Sequence, residues 1–201
     1  MPNFVTAGAV RPEMNANPYI CGDMEDRMTV PVRVPKYIRD YIRGINADSD
    51  VVVPEYHSLL WATVKANLDL VPRDGLPPLN PESTYIHIAI YSSKHRKIYN
   101  IASGKIIRHS DVLFRCHLSE DGQKAVSDYI VRGFKQDYRS YMSGALGNNP
   151  DLSIKDAIEE FCNDRNVEMD DALTYDMLRK DWYRFRRSCE DRLALKKASE
   201  M

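Results

Sequence analysis

The hydrophobic rhythm of the chain changes several times, and each change marks an element. Residues 28–34, MTVPVRV, place Val30, Val32 and Val34 at every second position, the period of a strand. Pro31 has no amide hydrogen to donate, which assigns that strand to a sheet edge. Pro35 stands at a favourable first position for a helix over KYIRDYIRGI, with Ile38, Tyr41, Ile42 and Ile45 on one face and Gly44 helping to end it. After a short valine run, a second helix is predicted from about Pro54. Leu59, Leu60, Thr63, Val64 and Leu68 recur there at helical spacing, with Trp61 at the edge of the stripe. The segment PRDGLPPLNPES, 72–83, carries four prolines and a glycine and interrupts the pattern.

Strict alternation returns in TYIHIAIY, where Ile86, Ile88 and Ile90 face one way and Tyr85, His87, Ala89 and Tyr91 the other. SSKHR reads as a turn and KIYNI as the returning strand, which predicts a hairpin with a basic tip, and SGKIIRHSDVLFRCH adds one or two further strands. From Ser119 a long amphipathic helix is predicted, its apolar face holding Val126, Tyr129, Ile130, Phe134 and Tyr141. SGALGNNPDL is a second break. Ser153 and Asp156 then approximate a capping box for a helix with Ile154, Ile158, Phe161 and Cys162 in one stripe. In the last helix Tyr175, Leu178, Trp182, Phe185 and Cys189 are spaced 3, 4, 3 and 4, an apolar seam that should pack on the Ile154 helix.

The predicted fold class is therefore α+β: a small mixed sheet with packed helices, followed by a C-terminal helical hairpin. The organisation that follows is an N-terminal arm at 1–27, an α+β domain at 28–142, a linker at 143–152 and a helical module at 153–201.

Composition narrows the function classes. With 43% hydrophobic and 28% charged residues, and no run near the roughly 20 apolar residues that span a bilayer, a soluble cytoplasmic protein without membrane contact is expected. Cys21, Cys116, Cys162 and Cys189 form no C-x-x-C pair, and His109, Cys116 and His117 lack a second clustered pair to complete a metal site. The glycine-rich, nucleophile-elbow and H-E-x-x-H signatures are absent, and NVEMDD reads as a solvated loop at a helix boundary rather than a magnesium site. No catalytic residue, metal or cofactor is assigned, and a non-enzymatic protein is expected.

The net charge of −1 conceals a sharp local polarity. Between Lys155 and Asp176 eight acids face two bases, whereas between Arg179 and Lys197 eight bases face three acids. The arginine fork donates paired hydrogen bonds to phosphate or guanine edges, so Arg179, Lys180, Arg184, Arg186 and Arg187 are the leading nucleic-acid contacts. The hairpin-tip residues Lys94, Arg96 and Lys97 are auxiliary ones, and Tyr85, His87 and Tyr91 are positioned to stack bases. The competing reading of the last helix is that its cations offset the acidic neighbouring helix and favour a helix C-terminus.

The pattern IKDAIEEFCNDRN followed by TYDMLRKDWYRFRR resembles the C-terminal helix-turn-helix-like modules of small regulatory proteins from bacteriophages and mobile elements. That resemblance implies a regulatory protein whose second helix enters the major groove of double-stranded DNA. MTVPVRVPKYIRDYIRG followed by PEYHSLLWATVKANL is similar to the strand–helix–helix order of ribbon-helix-helix repressors, which would turn Thr29, Pro31 and Arg33 toward DNA. The alternative is a phage structural or assembly protein, a homo-oligomer or the binder of a protein partner, acting through its N-terminal arm.

Overall fold

The structure, a computed structural model, describes residues 29–90, 98–99, 106–107 and 116–199, the two short middle segments by backbone alone. Strand β1 (Thr29–Arg33) leads into helix α1 (Lys36–Ile45), short strand β2 (Val51–Val52), helix α2 (Leu59–Asn67) and strand β3 (Leu68–Leu70). Strand β4 (Tyr85–Ala89), β5 (Ile98–Tyr99), β6 (Ile106–Ile107) and β7 (Cys116–Leu118) follow. The chain closes with α3 (Glu120–Asn148), α4 (Ile154–Asp164) and α5 (Tyr175–Ser199). The architecture is α+β, as the sequence pattern predicts.

Strand β4 is central. It pairs antiparallel with β1, Val30 opposite Ile88 and Pro31 opposite His87, and parallel with β2 on its other edge. Pro31 thus sits in an edge strand, where its missing N–H costs no ladder bond. Ile86 and Ile88 are fully buried, together with Val30 and Val32. Among the described residues the predicted β4–β5 pairing is absent: β1 and β2 take the two edges of β4, and β5 pairs with β6, Ile98 opposite Ile107. β7 pairs with β3, Leu68 opposite Leu118.

The ribbon-helix-helix expectation is overturned as well. Thr29 and Pro31 are buried, and β1 finds its partner within the chain, so of that row only Arg33 is exposed. Trp61, expected at the margin of its helix, is in the core, whereas Leu59 is exposed. Helix α2 begins only at Leu59, where the Ser58 hydroxyl accepts from the Trp61 amide.

Helix α3 is the longest element among the described residues. Ser119 caps it by accepting from the Gly122 amide, and its buried side is Val126, Ile130, Phe134, Tyr138 and Met142. The break predicted at 143–152 is helical as far as Asn148. Met142 and half-buried Leu146 hold those last turns on the core, and this outweighs the roughly 1 kcal/mol that each of Gly144 and Gly147 costs in a helix. The connection is therefore only 149–153, and sheet and C-terminal helices share one hydrophobic core.

Helix α4 starts at the predicted cap: the Ser153 hydroxyl accepts from the Asp156 amide and donates to its carboxylate. It ends in a Schellman turn, with Asn166 at φ 52°, the Val167 amide donating to the Cys162 carbonyl and the Asn166 amide to the Asn163 carbonyl. Helix α1 comes close to this turn at Gly44, where an added Cβ would stand 2.0 Å from the Arg165 carbonyl oxygen. Gly44→Ala will therefore destabilise the protein by about 1–3 kcal/mol despite alanine's better helix propensity. A lowered urea midpoint would register it, and an unchanged one would refute the close approach.

Beside that contact, Asp137 of α3 accepts from both the Tyr41 hydroxyl (3.1 Å) and Arg165 Nε (3.0 Å), tying α1, α3 and the end of α4 together. Burial and then the Asp137 charge push the Tyr41 phenol up to about 12. Burial also raises Tyr138, and burial with Glu159 pushes the Cys162 thiol up to about 11. All three are neutral in the fold, while an unfolded chain loses these protons near their ordinary values of 9.0 to 10.0. The unfolded state thus sheds protons first, and stability will fall as pH rises from about 9 to about 12. Denaturant midpoints across that range will show the fall, and it will be shallower in Tyr41→Phe.

Candidate nucleic-acid interface

The seam of α5 is apolar for a local reason: Leu178 and Trp182 are buried, and Tyr175, Phe185 and Cys189 are half-buried within two turns on either side. This face docks on α4, as predicted, and also on α3. The Tyr138 hydroxyl donates to the Leu178 carbonyl at 3.0 Å, and Arg139 makes a two-pronged pair with Asp181, Nε to Oδ2 at 2.8 Å and Nη2 to Oδ1 at 2.7 Å. The Arg139 guanidinium also lies over the Phe185 ring, 5.3 Å from its centre. Two helices therefore brace α5 in a fixed orientation.

The cations on its remaining surface divide into two groups. Arg179 pairs with Asp176 at 3.0 Å and covers the Tyr175 ring, while Arg186 pairs with Glu190 at 2.9 Å. Lys180, Arg184 and Arg187 are exposed, and among the described residues they meet no carboxylate. The notion that these bases offset the acids of α4 finds no support in the contacts: from Arg179 to Arg192 none pairs with an α4 carboxylate. The acids of that region face elsewhere, Glu168 to Lys36 and Glu159 to Lys155.

Sequence reasoning missed the second wall. Arg132, Lys135 and Arg139 are spaced 3 and 4 along α3 and share, with Arg184 and Arg192 of α5, a groove of about 810 Å³. Their helical spacing was visible in YIVRGFKQDYRSYM, but Asp128 and Asp137 dilute the charge of the segment when it is read along the chain. Those acids lie outside the groove, Asp137 held by Tyr41 and Arg165 and Asp128 paired with Lys124.

The helix-turn-helix expectation meets a different geometry at its turn. The connection 165–174 contains a Schellman end and a bridge between Asp170 and Leu173, and is longer than the three or four residues of that motif. The start of α5 stands among Asp170, Asp171 and Asp176, so positive charge gathers in its middle and second half. From Glu190 to Ser199 every residue is exposed, Leu193 and Leu195 among them.

Lys94, Arg96, Lys97 and Tyr91 lie outside the described residues, as does the arm 1–27. Tyr85 and His87 are half-buried on β4, and among the described residues the buried Nδ1 of His87 has no hydrogen-bond partner. Among the described residues no three His, Cys, Asp or Glu side chains gather to hold a metal ion, and no helix is long and apolar enough to cross a membrane. Compared with known proteins, the chain matches no family model, no curated protein and no solved structure.

Proposed function

We propose that this is a non-enzymatic nucleic-acid-binding protein, regulatory or accessory in role, whose ligand is double-stranded DNA. The observation that carries the reading is the uncompensated set Lys180, Arg184 and Arg187 on a helix immobilised by α3 and α4. Exposed cations on a rigid element, free of intramolecular carboxylates, displace the counterions condensed on a phosphate backbone, and that release drives association. The attribution to a phage or mobile-element type rests on the resemblance of the 154–187 pattern alone.

The test is fluorescence anisotropy of the protein with random duplex DNA, single-stranded DNA and RNA over a range of salt. A logarithmic salt slope near −4 to −6 on duplex corresponds to about five to seven phosphate contacts. Absence of binding to any of the three at low salt would sink the reading. A second reading, an assembly protein acting through protein contacts, is favoured by Leu193 and Leu195, 61% and 72% exposed on the last turns of α5. Light scattering would then give a mass above one chain, reduced to one chain by Leu193→Ser with Leu195→Ser.

A further inference from the structure

We infer that the groove between α3 and α5 seats the sugar–phosphate backbone of one nucleic-acid strand without reading its bases. This rests on the nucleic-acid reading and makes it specific. Arg132, Lys135, Arg184 and Arg192 line the groove from two helices, beside Arg139, whose charge is already matched by Asp181. Like charges brought together in a concavity repel one another and focus a positive potential outward. An anion with repeated charges relieves that repulsion, and a single carboxylate does not.

The groove is also built. Asp181 and the Phe185 ring fix Arg139, and the two nitrogens it gives to Asp181 leave its other terminal nitrogen for a ligand. Arg132 donates Nε to the Asp128 carbonyl at 3.2 Å, which steadies its stem and leaves its terminal nitrogens to turn inward. Gln136, Ser140 and Ser188 add neutral donors between the cations, the mixture that positions phosphate oxygens.

Two features favour backbone over bases. The span from Arg184 to Arg192 is about 12 Å along the helix, enough to meet more than one phosphate of a strand. And the one aromatic ring of the groove, Phe185, already carries the Arg139 guanidinium on its face, so it offers no stacking platform to a base. Binding in the groove should therefore be indifferent to sequence and should not distinguish a single strand from one strand of a duplex.

The experiment compares two sets of variants of the full chain, each checked by circular dichroism, on labelled duplex and single-stranded DNA of several sequences. Arg132→Gln, Lys135→Gln and Arg192→Gln together empty the groove wall, whereas Lys180→Gln with Arg187→Gln alter only the outer face. The groove set should lower affinity about 100-fold at low salt for every probe and reduce the salt slope by about 2 to 3. Should the groove set bind like the unaltered protein while the outer set fails, the groove is not the seat and the nucleic-acid reading survives. A loss confined to one base sequence would overturn backbone recognition. No binding by the unaltered protein removes both readings.

Discussion

Replacing Arg184 and Arg187 together by glutamate will lower affinity for duplex DNA by about 100-fold or more at low salt, and will reduce the salt slope by about 2. Both side chains are exposed and meet no carboxylate among the described residues, so their full charge is available to a ligand. Reversal removes two cations and adds two repulsions. It should leave folding nearly untouched, because surface substitutions away from packed or capping positions change stability by less than about 0.5 kcal/mol. Arg186→Glu is the internal comparison. Arg186 already spends its charge on Glu190, so its reversal should cost less. Anisotropy titrations on one duplex at several salt concentrations read all three proteins. The double reversal shifts the charge twice as far as the single one, so an Arg186→Glu loss of half the double loss in log affinity would mean that total charge governs binding, and a loss well below half would mean that the pairing pattern on α5 does.

The largest effect on stability is expected at Phe161. Its side chain is fully buried, with ring centres 5.8 Å from Phe134, 5.2 Å from Tyr138 and 5.4 Å from Tyr141, and with the Arg165 guanidinium 5.9 Å above it. Phe161→Ala leaves a cavity at the junction of α3 and α4 and should cost about 3–5 kcal/mol. A domain of this size is stable by only about 5–15 kcal/mol, so the variant will be near its unfolding threshold. The loss will also reach the basic surface, because Tyr138 packs on Phe161 and holds the Leu178 carbonyl of α5. Urea denaturation should show a lower midpoint at unchanged slope, and Phe161→Leu should recover part of the difference. A cost under about 1 kcal/mol would mean that α4 is anchored elsewhere.

What could be read from the chain was set by how local the determining contacts are. The alternation of Ile86, Ile88 and Ile90, the Ser153 cap and the seam of α5 each depend on residues within a turn or two, and all reappear in the structure. Strand pairing is not local. KIYNI follows β4 closely enough to suggest a hairpin, yet β1 and β2, both earlier in the chain, take the two edges of β4. Glycines 144 and 147 signalled a break that Met142 and Leu146 override by packing against distant residues. At the candidate site the α5 cations were legible as a charge run, but two of the five predicted there, Arg179 and Arg186, are matched by neighbours one turn away. The α3 wall was hidden because a groove belongs to two helices and to neither sequence segment alone.

Acids crowd 156–176 and bases crowd 179–197, so a nearly neutral chain carries opposite charges on neighbouring segments. A net charge of −1 neither draws the protein to a polyanion nor holds it off at long range. Uneven local charge acts on orientation: in the field of a polyanion, poses that present the basic segment are favoured over poses that present the acidic one. Fewer encounters are then spent in unproductive poses, and the rate of association is faster than the net charge suggests. At 0.1 M salt charges farther apart than the Debye length of about 10 Å are largely screened, so added salt should slow arrival as well as hasten departure.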